Sequence, residues 1–373
     1  MKITRVTATP IHVPIKVALV GAERAAAMSG CMVEIETDTG LIGHGFTSIT
    51  DEVVIARAIE AVAGPEIIGE DPLAHERVWD KLYWAMMPRG QTGYAAHALA
   101  AIDVALWDIK GKALGQPVWR LLGGARAKVP VYVTFGFDFF DRGQLAEAAK
   151  LWVGRGFKRL KMTVGHSGLA RRDTRPLMDL IREDEARVRA VREAVGPGVE
   201  LFIDANCSLD LYHAQKLAEM IKPYGISFFE EPLTQNDAGQ MAQLRRQSGM
   251  ALACGQNEGL AFRFRDLLVR EAIDYAQPNV VITGGYTQCL RIAGMAAAFN
   301  VPIANGGAWQ YHNMHLQAGV ANGTLVEIHY LAEQLYRTVY EGAPVPENGW
   351  LTMPEAPGLG FSPKADAVRE FAI

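Results

Sequence analysis

After Lys128 the sequence alternates regularly between short apolar segments and amphipathic helical segments, and this pattern limits the possible folds more than any other feature. Helical periodicity separates most of the apolar segments, for example over residues 183–195, 209–221 and 285–299. Eight such units in about 200 residues predict a TIM-like (β/α)8 barrel, and no GxGxxG supports an open doubly wound sheet. The strand candidates are residues 129–135, 159–164, 200–205, 227–230, 251–254, 275–281, 301–304 and 325–328.

The residues before the barrel have a different pattern and predict an α+β domain. Residues 2–14 and 31–38 alternate as strands do, and a largely helical block follows over residues 51–123. Gly123 and Gly124 together are the best candidate for a domain boundary. We expect a capping domain over residues 1–125, a barrel over residues 126–344, and a tail over residues 345–373 that packs back on the first domain.

Composition and charge argue against several classes of protein. The 373 residues carry a net charge of −4 without a run of Lys or Arg, which disfavours nucleic acid and anionic membranes as partners. No apolar stretch approaches the roughly 20 residues that span a bilayer, and residues 1–6 lack the apolar block of a signal peptide. We therefore expect a cytoplasmic protein. Neither a disulfide framework nor a zinc site is expected, because the four cysteines lie far apart: Cys31, Cys207, Cys254 and Cys289.

Polar side chains end three successive strands of the predicted barrel. Asp204, Glu230 and the group from Gln256 to Glu258 follow one another at intervals of 26 residues (204, 230, 256). Barrel enzymes carry their chemistry at these strand ends, and charges there need a counter-ion. Carboxylate and amide oxygens suit Mg²⁺. We expect Mg²⁺ bound by Asp204, Glu230 and either Gln256 or Glu258, with Lys161 of the second strand beside it.

Several longer motifs are similar to those of the enolase superfamily, and within it to the mandelate racemase and muconate lactonizing enzyme group. The resemblance extends over nearly the whole chain. It implies a capping domain over the barrel mouth, Mg²⁺ on strands three to five, and removal of the proton alpha to a carboxylate through a metal-stabilised enediolate. The motifs lie at residues 34–43, 105–112, 121–124, 156–158, 204–206, 229–232, 277–279, 284–285 and 357–360.

The chain departs from the family pattern at positions that matter for mechanism. Only Lys161 is kept of the usual Lys-x-Lys, because position 163 is Thr163. Gln256 stands where the group usually has Glu, and Asn279 and Gly306 stand where the racemase subgroup has the Asp and His of a second acid–base pair. The resemblance therefore leaves open whether Lys161 is the base or an electrostatic helper.

Other residues could replace the missing groups. His312, just beyond the seventh strand, is the best candidate for an acid or base, whereas His315 is expected to be structural. Glu327 on the eighth strand matches a family position that donates a hydrogen bond to a substrate oxygen when protonated; the alternative is a solvated or salt-bridged acid. Specificity is expected from capping loops near residues 15–30, including Arg24, and 45–50, with weaker candidates at His44, Arg89 and Tyr94.

The leading hypothesis is a Mg²⁺-dependent hydro-lyase that converts a hydroxy or sugar acid to a 2-keto acid, with Lys161, His312 and Glu327 in the site. Racemisation or epimerisation is the first alternative, but it needs bases on both faces of the alpha carbon, and the usual pair is missing. Cycloisomerisation follows. A degenerate barrel that binds an acid without turnover is the non-catalytic alternative. A homo-oligomer is expected by analogy with the family alone.

Overall fold

The computed structural model describes residues 1–86, 93–165 and 175–373. Its first part is an antiparallel sheet of β1 (Ile3–Leu19), β2 (Ala22–Thr37) and β3 (Ile42–Ser48). The first two strands form one long hairpin that turns at Val20 and Gly21. The prediction of loops at residues 15–30 and 45–48 was therefore wrong. The small residues of β2 favour strand weakly, but pairing with the Val- and Ile-rich β1 decides the conformation.

The helical block predicted after the sheet is confirmed in the described residues, and its centre is a long alanine-rich helix, α4. The elements are α1 (Glu52–Ala58), a π-helical turn (Ile59–Ala63), α2 (Gly64–Ile67), α3 (His75–Met86), α4 (Tyr94–Leu114) and α5 (Val118–Leu121). Nearly all of α4 is buried, because β3 covers one side and α1, α3 and one barrel helix cover the others.

The predicted parallel barrel is confirmed. Seven strands pair in parallel in the order β10-β4-β5-β6-β7-β8-β9. The ring closes through Ile303, which forms parallel bridges to Ala276 and Gly323. The seventh strand is short, and its neighbours bond to it through Pro302, Ile303, Ala304 and Asn305. The strands are β4 (Lys128–Gly136), β5 (Arg159–Thr163), β6 (Glu200–Asp204), β7 (Ile226–Glu230), β8 (Leu252–Cys254), β9 (Tyr275–Ala276) and β10 (Val326–His329).

Helices surround the barrel, and three of them begin at an Asp whose side chain accepts a backbone N–H: Asp141, Asp210 and Asp237. No helix in the described ranges is long and apolar enough to cross a bilayer. The helices are α6 (Arg142–Gly154), α7 (Leu177–Val195), α8 (Leu211–Ile221), α9 (Ala238–Ser248), α10 (Ala261–Val269), α11 (Gly285–Ala298), α12 (Gln310–Gly319) and α13 (Tyr330–Val339), with 3₁₀ turns at Lys222–Tyr224 and Thr234–Asn236.

The tail returns to the beginning of the chain. Ala372 forms an antiparallel bridge with Ile11, and the N–H of Ile373 donates to the carbonyl of Pro10 at 3.1 Å. A short strand at Trp350–Thr352 also pairs antiparallel with β4. The elements after α13 are β11 (Tyr340–Glu341), β12 (Trp350–Thr352), β13 (Ser362–Pro363) and α14 (Ala365–Phe371).

The barrel interior is divided into an apolar layer and a charged layer. Phe202 and Phe228 stack with ring centroids 4.1 Å apart, and Tyr132 meets both rings edge-on. Ala253, Ala304 and Leu325 complete this apolar layer. Because it fills the space beneath the strand ends, the polar side chains that follow it along the strands lie together at the carboxyl-terminal mouth.

The close contact between β3 and α4 depends on Gly43 and Gly45, where a side chain would collide with the backbone of α4. A Cβ on Gly45 would lie 1.9 Å from the carbonyl oxygen of Ala101. We expect Gly45→Ala to lower the free energy of unfolding by about 3 kcal/mol or to prevent folding, because backbone must move. Gly294→Ala, at an exposed position of α11 with open space around it, should be neutral or slightly stabilising. Denaturant unfolding measures both; equal stability of the two variants would contradict the prediction.

Candidate active site

The ends of four barrel strands bring Lys161, Asp204, Glu230 and Glu327 together. The Lys161 ammonium lies 2.7 Å from Glu230 Oε1, 3.1 Å from Glu327 Oε1 and 3.3 Å from Asp204 Oδ2. All four side chains are buried. The predicted proximity of Lys161 to the two acids is confirmed, and Glu327 joins them from β10. We call these four residues the charged cluster.

Two residues of β4 that the sequence motifs do not single out also line the charged cluster. The ring centroid of Tyr132 lies 5.3 Å from the Lys161 ammonium. The hydroxyl of Thr134 donates to Glu327 Oε1, and the N–H of Ala308 donates to Glu327 Oε2 at 2.7 Å. Sheet register aligns Tyr132 with Glu327 and Thr134 with Lys161. Inward alternation along β4 is therefore the signal that identifies both.

The charged cluster has an excess of negative charge. Burial acts to lower the pKa of Lys161, but Glu230, Glu327 and Asp204 outweigh it and hold the pKa well above its usual range. Burial raises the pKa of Glu230 well above its usual range, and Lys161 opposes that rise. At Glu327, burial is more than offset by Lys161 and by the hydrogen bonds to its carboxylate, so its pKa is lowered. Three carboxylates thus share one ammonium.

The structure distinguishes Gln256 from Glu258. The chain turns directly after β8, where the N–H of Glu258 donates to the carbonyl of Gly255 at 3.0 Å. The expectation that Glu258 points to the same side as Gln256 was wrong, since strand alternation does not continue through a turn. The Glu258 carboxylate instead accepts from Arg263 Nε at 2.8 Å and from Asn236 Nδ2 at 3.1 Å. Glu258 is therefore corrected from a candidate ligand to a partner of Arg263.

Asp204, Glu230 and Gln256 are a donor set that fits a divalent cation. Gln256 Nε2 lies 3.4 Å from Asp204 Oδ2, and rotation of the amide would present Oε1 instead. Glu230 Oε2 is buried without a hydrogen-bond partner among the described residues, as is the amide of Gln277. A hard cation would satisfy such an oxygen. No three Asp, Glu, His or Cys side chains of the described ranges form a metal-binding group, so an amide or solvent oxygen has to complete the set.

Glu231 holds the turn that carries Gln256. Its Oε1 accepts from the N–H of Gly255 at 2.9 Å, and its Oε2 accepts from Asn236 Nδ2 and Asn257 Nδ2, both at 3.0 Å. The thiol of Cys207 donates to the same oxygen. Burial and the Glu231 carboxylate raise the pKa of Cys207, so this thiol is a hydrogen-bond donor and not a nucleophile.

Asn279 and Gly306, which stand at the positions of the missing acid–base pair, pack against each other and against neighbouring residues of the site. Asn279 Nδ2 donates to the carbonyl of Gly306 at 2.8 Å. A Cβ on Gly306 would lie 2.6 Å from Gln277 Nε2 and 2.9 Å from Glu230 Oε1. The loop after the seventh strand therefore lies directly against the charged cluster, and these two positions supply no base to it.

His312 does not join the charged cluster, and the prediction of a catalytic role for it was wrong. It lies inside α12, in an aromatic cluster, where Nδ1 is 2.5 Å from the Tyr336 hydroxyl and the ring stacks on Phe46 at 5.7 Å. The sequence suggests a loop here, but the helix begins at residue 310 and buries every residue of its length. His315 is structural as expected, with Nε2 3.0 Å from the carbonyl of Leu359.

The buried His312 predicts an acid-sensitive contribution to stability. Burial lowers its pKa to about 3 in the folded state, whereas the unfolded chain protonates it near 6.5. Between these values the unfolded state binds more protons, so the free energy of unfolding falls as pH falls. From pH 7 to pH 4.5 we expect the free energy of unfolding of the wild type to fall by about 2–3 kcal/mol more than that of His312→Phe, which has no imidazole to protonate. Urea unfolding at both pH values measures it; a constant difference would contradict the prediction.

The candidates from the capping domain occupy different places. Arg24, near the tip of the hairpin, lies with its guanidinium carbon 5.1 Å from the ring centroid of Phe139, in the loop after β4. His44 forms its ion pairs inside its own domain, and Tyr94 is exposed at the start of α4. Arg89 lies outside the described residues. The hairpin thus contacts the barrel on the side of the strand ends.

Two family models match the chain. Residues 144–367 match the family described as Enolase C-terminal domain-like, and residues 1–123 match the Mandelate racemase / muconate lactonizing enzyme, N-terminal domain. Arabinonate dehydratase of Saccharolobus solfataricus is 29% identical over 347 residues, which cover 91% of this chain and 89% of the relative.

Solved structures agree with the family models. The 3,6-anhydro-D-galactonate cycloisomerase from Zobellia galactanivorans superposes with a TM-score of 0.87 at 30% identity, and all of both chains is covered. A racemase from Streptomyces coelicolor A3(2) with bound magnesium has a TM-score of 0.88 at 25% identity, again over all of both chains. The chain therefore belongs to the enolase superfamily, in the mandelate racemase and muconate lactonizing enzyme group.

Proposed function

We propose that this protein removes the proton alpha to the carboxylate of a hydroxy or sugar acid, with Mg²⁺ bound, and expels a beta-hydroxyl to give a 2-keto acid. The observation that carries the proposal is the contact of Lys161 with Asp204, Glu230 and Glu327 at 2.7–3.3 Å in a buried site at the barrel mouth. The dehydratase name of the Saccharolobus solfataricus relative supports the choice of substrate class.

Asp204, Glu230 and Gln256 would bind the cation, which when present stabilises negative charge on the substrate carboxylate. Lys161 is the base in this proposal, because its amine lies 2.7 Å from Glu230 and 3.3 Å from Asp204. Without a cation these acids hold the pKa of Lys161 high, but a cation bound by Asp204 and Glu230 would offset their charge and lower that pKa, so that the amine could accept a proton. Glu327 accepts hydrogen bonds from Thr134 and Ala308, so it acts here as a carboxylate that orients Lys161 and not as a proton donor. Burial excludes water, which strengthens each of these interactions.

Elimination is favoured over racemisation by the residues at the sixth and seventh strands. Racemisation needs a second base on the opposite face of the alpha carbon, and Asn279 and Gly306 supply none. Cycloisomerisation is the second candidate, since it begins with the same proton abstraction and the Zobellia galactanivorans neighbour carries that name.

The test is turnover with Mg²⁺ of a panel of pentonates, hexonates and 3,6-anhydrohexonates, the last chosen after the name of the Zobellia galactanivorans neighbour. ¹H NMR identifies the products and mass spectrometry gives their masses. Elimination predicts a 2-keto acid together with water, whereas cycloisomerisation predicts an isomer of unchanged mass, and chelation should abolish either product. An acid that is bound but never changed, across the panel and with the cation present, would favour the non-catalytic alternative.

A further inference from the structure

His329 lies at the end of β10, two residues after Glu327, and its placement suggests a part in the reaction. Sheet register aligns His329 with Thr134 of β4, and Thr134 with Lys161 of β5. Aligned residues of neighbouring strands project to the same face of a sheet, and so do residues i and i+2 of one strand. The side chains of Lys161, Thr134, Glu327 and His329 therefore share the inner face at the barrel mouth.

The contacts of His329 leave one ring nitrogen available. Nδ1 accepts from the N–H of Ala332 in the first turn of α13 at 3.4 Å, and the ring meets Phe137 edge-on at 5.4 Å. With Nδ1 as acceptor, the neutral ring carries its proton on Nε2. Nε2 has no hydrogen-bond partner in the described part of the chain, and the residue is half-buried, so it can meet both substrate and solvent.

The His329 ring lies close enough to the charged cluster to interact electrostatically with its members. Burial lowers the pKa of His329, and the charges of Glu327, Lys161 and Asp204 all act on it. The ring is therefore neutral near pH 7 and can donate a hydrogen bond without adding charge. Capping of α13 alone gives no reason for histidine, because Asn, Asp, Ser and Thr are the preferred residues at that position.

We propose that His329 donates a hydrogen bond from Nε2 to the beta-hydroxyl that leaves in the elimination, an inference that rests on the proposed function. The alpha proton passes first to Lys161, and the C–H electron pair moves into the carboxylate to give an enediolate. That electron pair then forms the new π bond between carbons 2 and 3 as the C–O bond at carbon 3 breaks. The departing oxygen keeps that bond's electron pair, is stabilised by Nε2–H, and takes a proton from solvent to leave as water. The resulting enol becomes the 2-keto acid when its hydroxyl proton is lost and carbon 3 is protonated.

The test separates enolisation from C–O cleavage. With Mg²⁺ in D₂O, NMR follows deuterium at the alpha carbon of recovered substrate and formation of the 2-keto acid, for whichever sugar acid the wild type dehydrates. His329→Asn keeps a good cap for α13 but shortens the side chain, so we expect the Tm to be kept, deuterium exchange to persist and product formation to fall roughly 10²-fold or more. His213→Asn, on α8 and remote from the cluster, is the matched control and should change neither signal.

Each other outcome overturns the proposal. Normal product formation by His329→Asn would assign His329 to helix capping alone. A parallel fall in exchange and product would assign it to proton abstraction or to the shape of the site. If the wild type neither exchanges nor dehydrates any sugar acid, the proposed function fails first, and the inference about His329 fails with it.

Discussion

Lys161→Met is expected to lower the rate of alpha-proton abstraction by at least roughly 10³-fold, the largest effect of any substitution considered for this chain. Methionine keeps the length of the side chain but provides neither a base nor a charge. It also leaves three buried carboxylates without their ammonium, so the variant is measured with Mg²⁺ present. Deuterium exchange at the alpha carbon of a turned-over sugar acid reports the rate.

Two further variants separate the role of Lys161 as a base from its role as a positive charge and provide a control. Lys161→Arg keeps a positive charge but cannot deprotonate near neutral pH, so the same loss is expected if the amine is the base. Lys158→Met removes an exposed lysine just before β5 and should leave the rate unchanged. If Lys161→Arg exchanged protons within tenfold of the wild type, Lys161 would be an electrostatic helper and another group would be the base.

Asp204→Asn is expected to abolish the stabilisation of the fold by Mg²⁺. A cation at about 100 times its Kd stabilises the folded state by about 2.7 kcal/mol, which for a chain of this length is a Tm increase of about 3 °C. Without the cation the variant should be no less stable than the wild type, because the substitution removes one of three carboxylates that share one ammonium. Thermal melts with Mg²⁺ and with chelator measure both effects.

The control for this variant lies on the same strand. Glu200 begins β6 and is exposed, whereas Asp204 ends it and is buried. Glu200→Gln should therefore keep the full Mg²⁺ response. A response that survived in Asp204→Asn, or disappeared in both variants, would show that the cation binds elsewhere.

The sequence predicts most of the barrel because its signals are local. Each strand is a short apolar run and each helix has its own periodicity, so the eight units and the ends at Asp204 and Glu230 follow from the pattern. The hairpin of β1 and β2 could not be predicted in full, since residues 22–30 become a strand only through pairing with β1. Cross-strand partners are not visible in a single sequence.

The errors in the site have the same origin. Glu258 points away from the charged cluster because the chain turns at Gly255. His312 lies outside the cluster because the residues around it form α12 and not the loop that the sequence suggests. The positions of both side chains depend on backbone conformation over two or three residues, and patterns of residue type predict such short stretches poorly. The alternation of residues along β4 indicates Thr134, whereas His329 is found only once the register of β10, β4 and β5 is known.

The proposed reaction requires a divalent cation bound between Asp204, Glu230 and Gln256. Anomalous diffraction from crystals grown with Mn²⁺ in place of Mg²⁺ tests this most directly, because it locates the ion without knowledge of the substrate. We expect one strong peak in contact with the carboxylates of Asp204 and Glu230 and the amide oxygen of Gln256. A peak at Glu258, or the absence of any peak at the charged cluster at saturating Mn²⁺, would contradict this expectation.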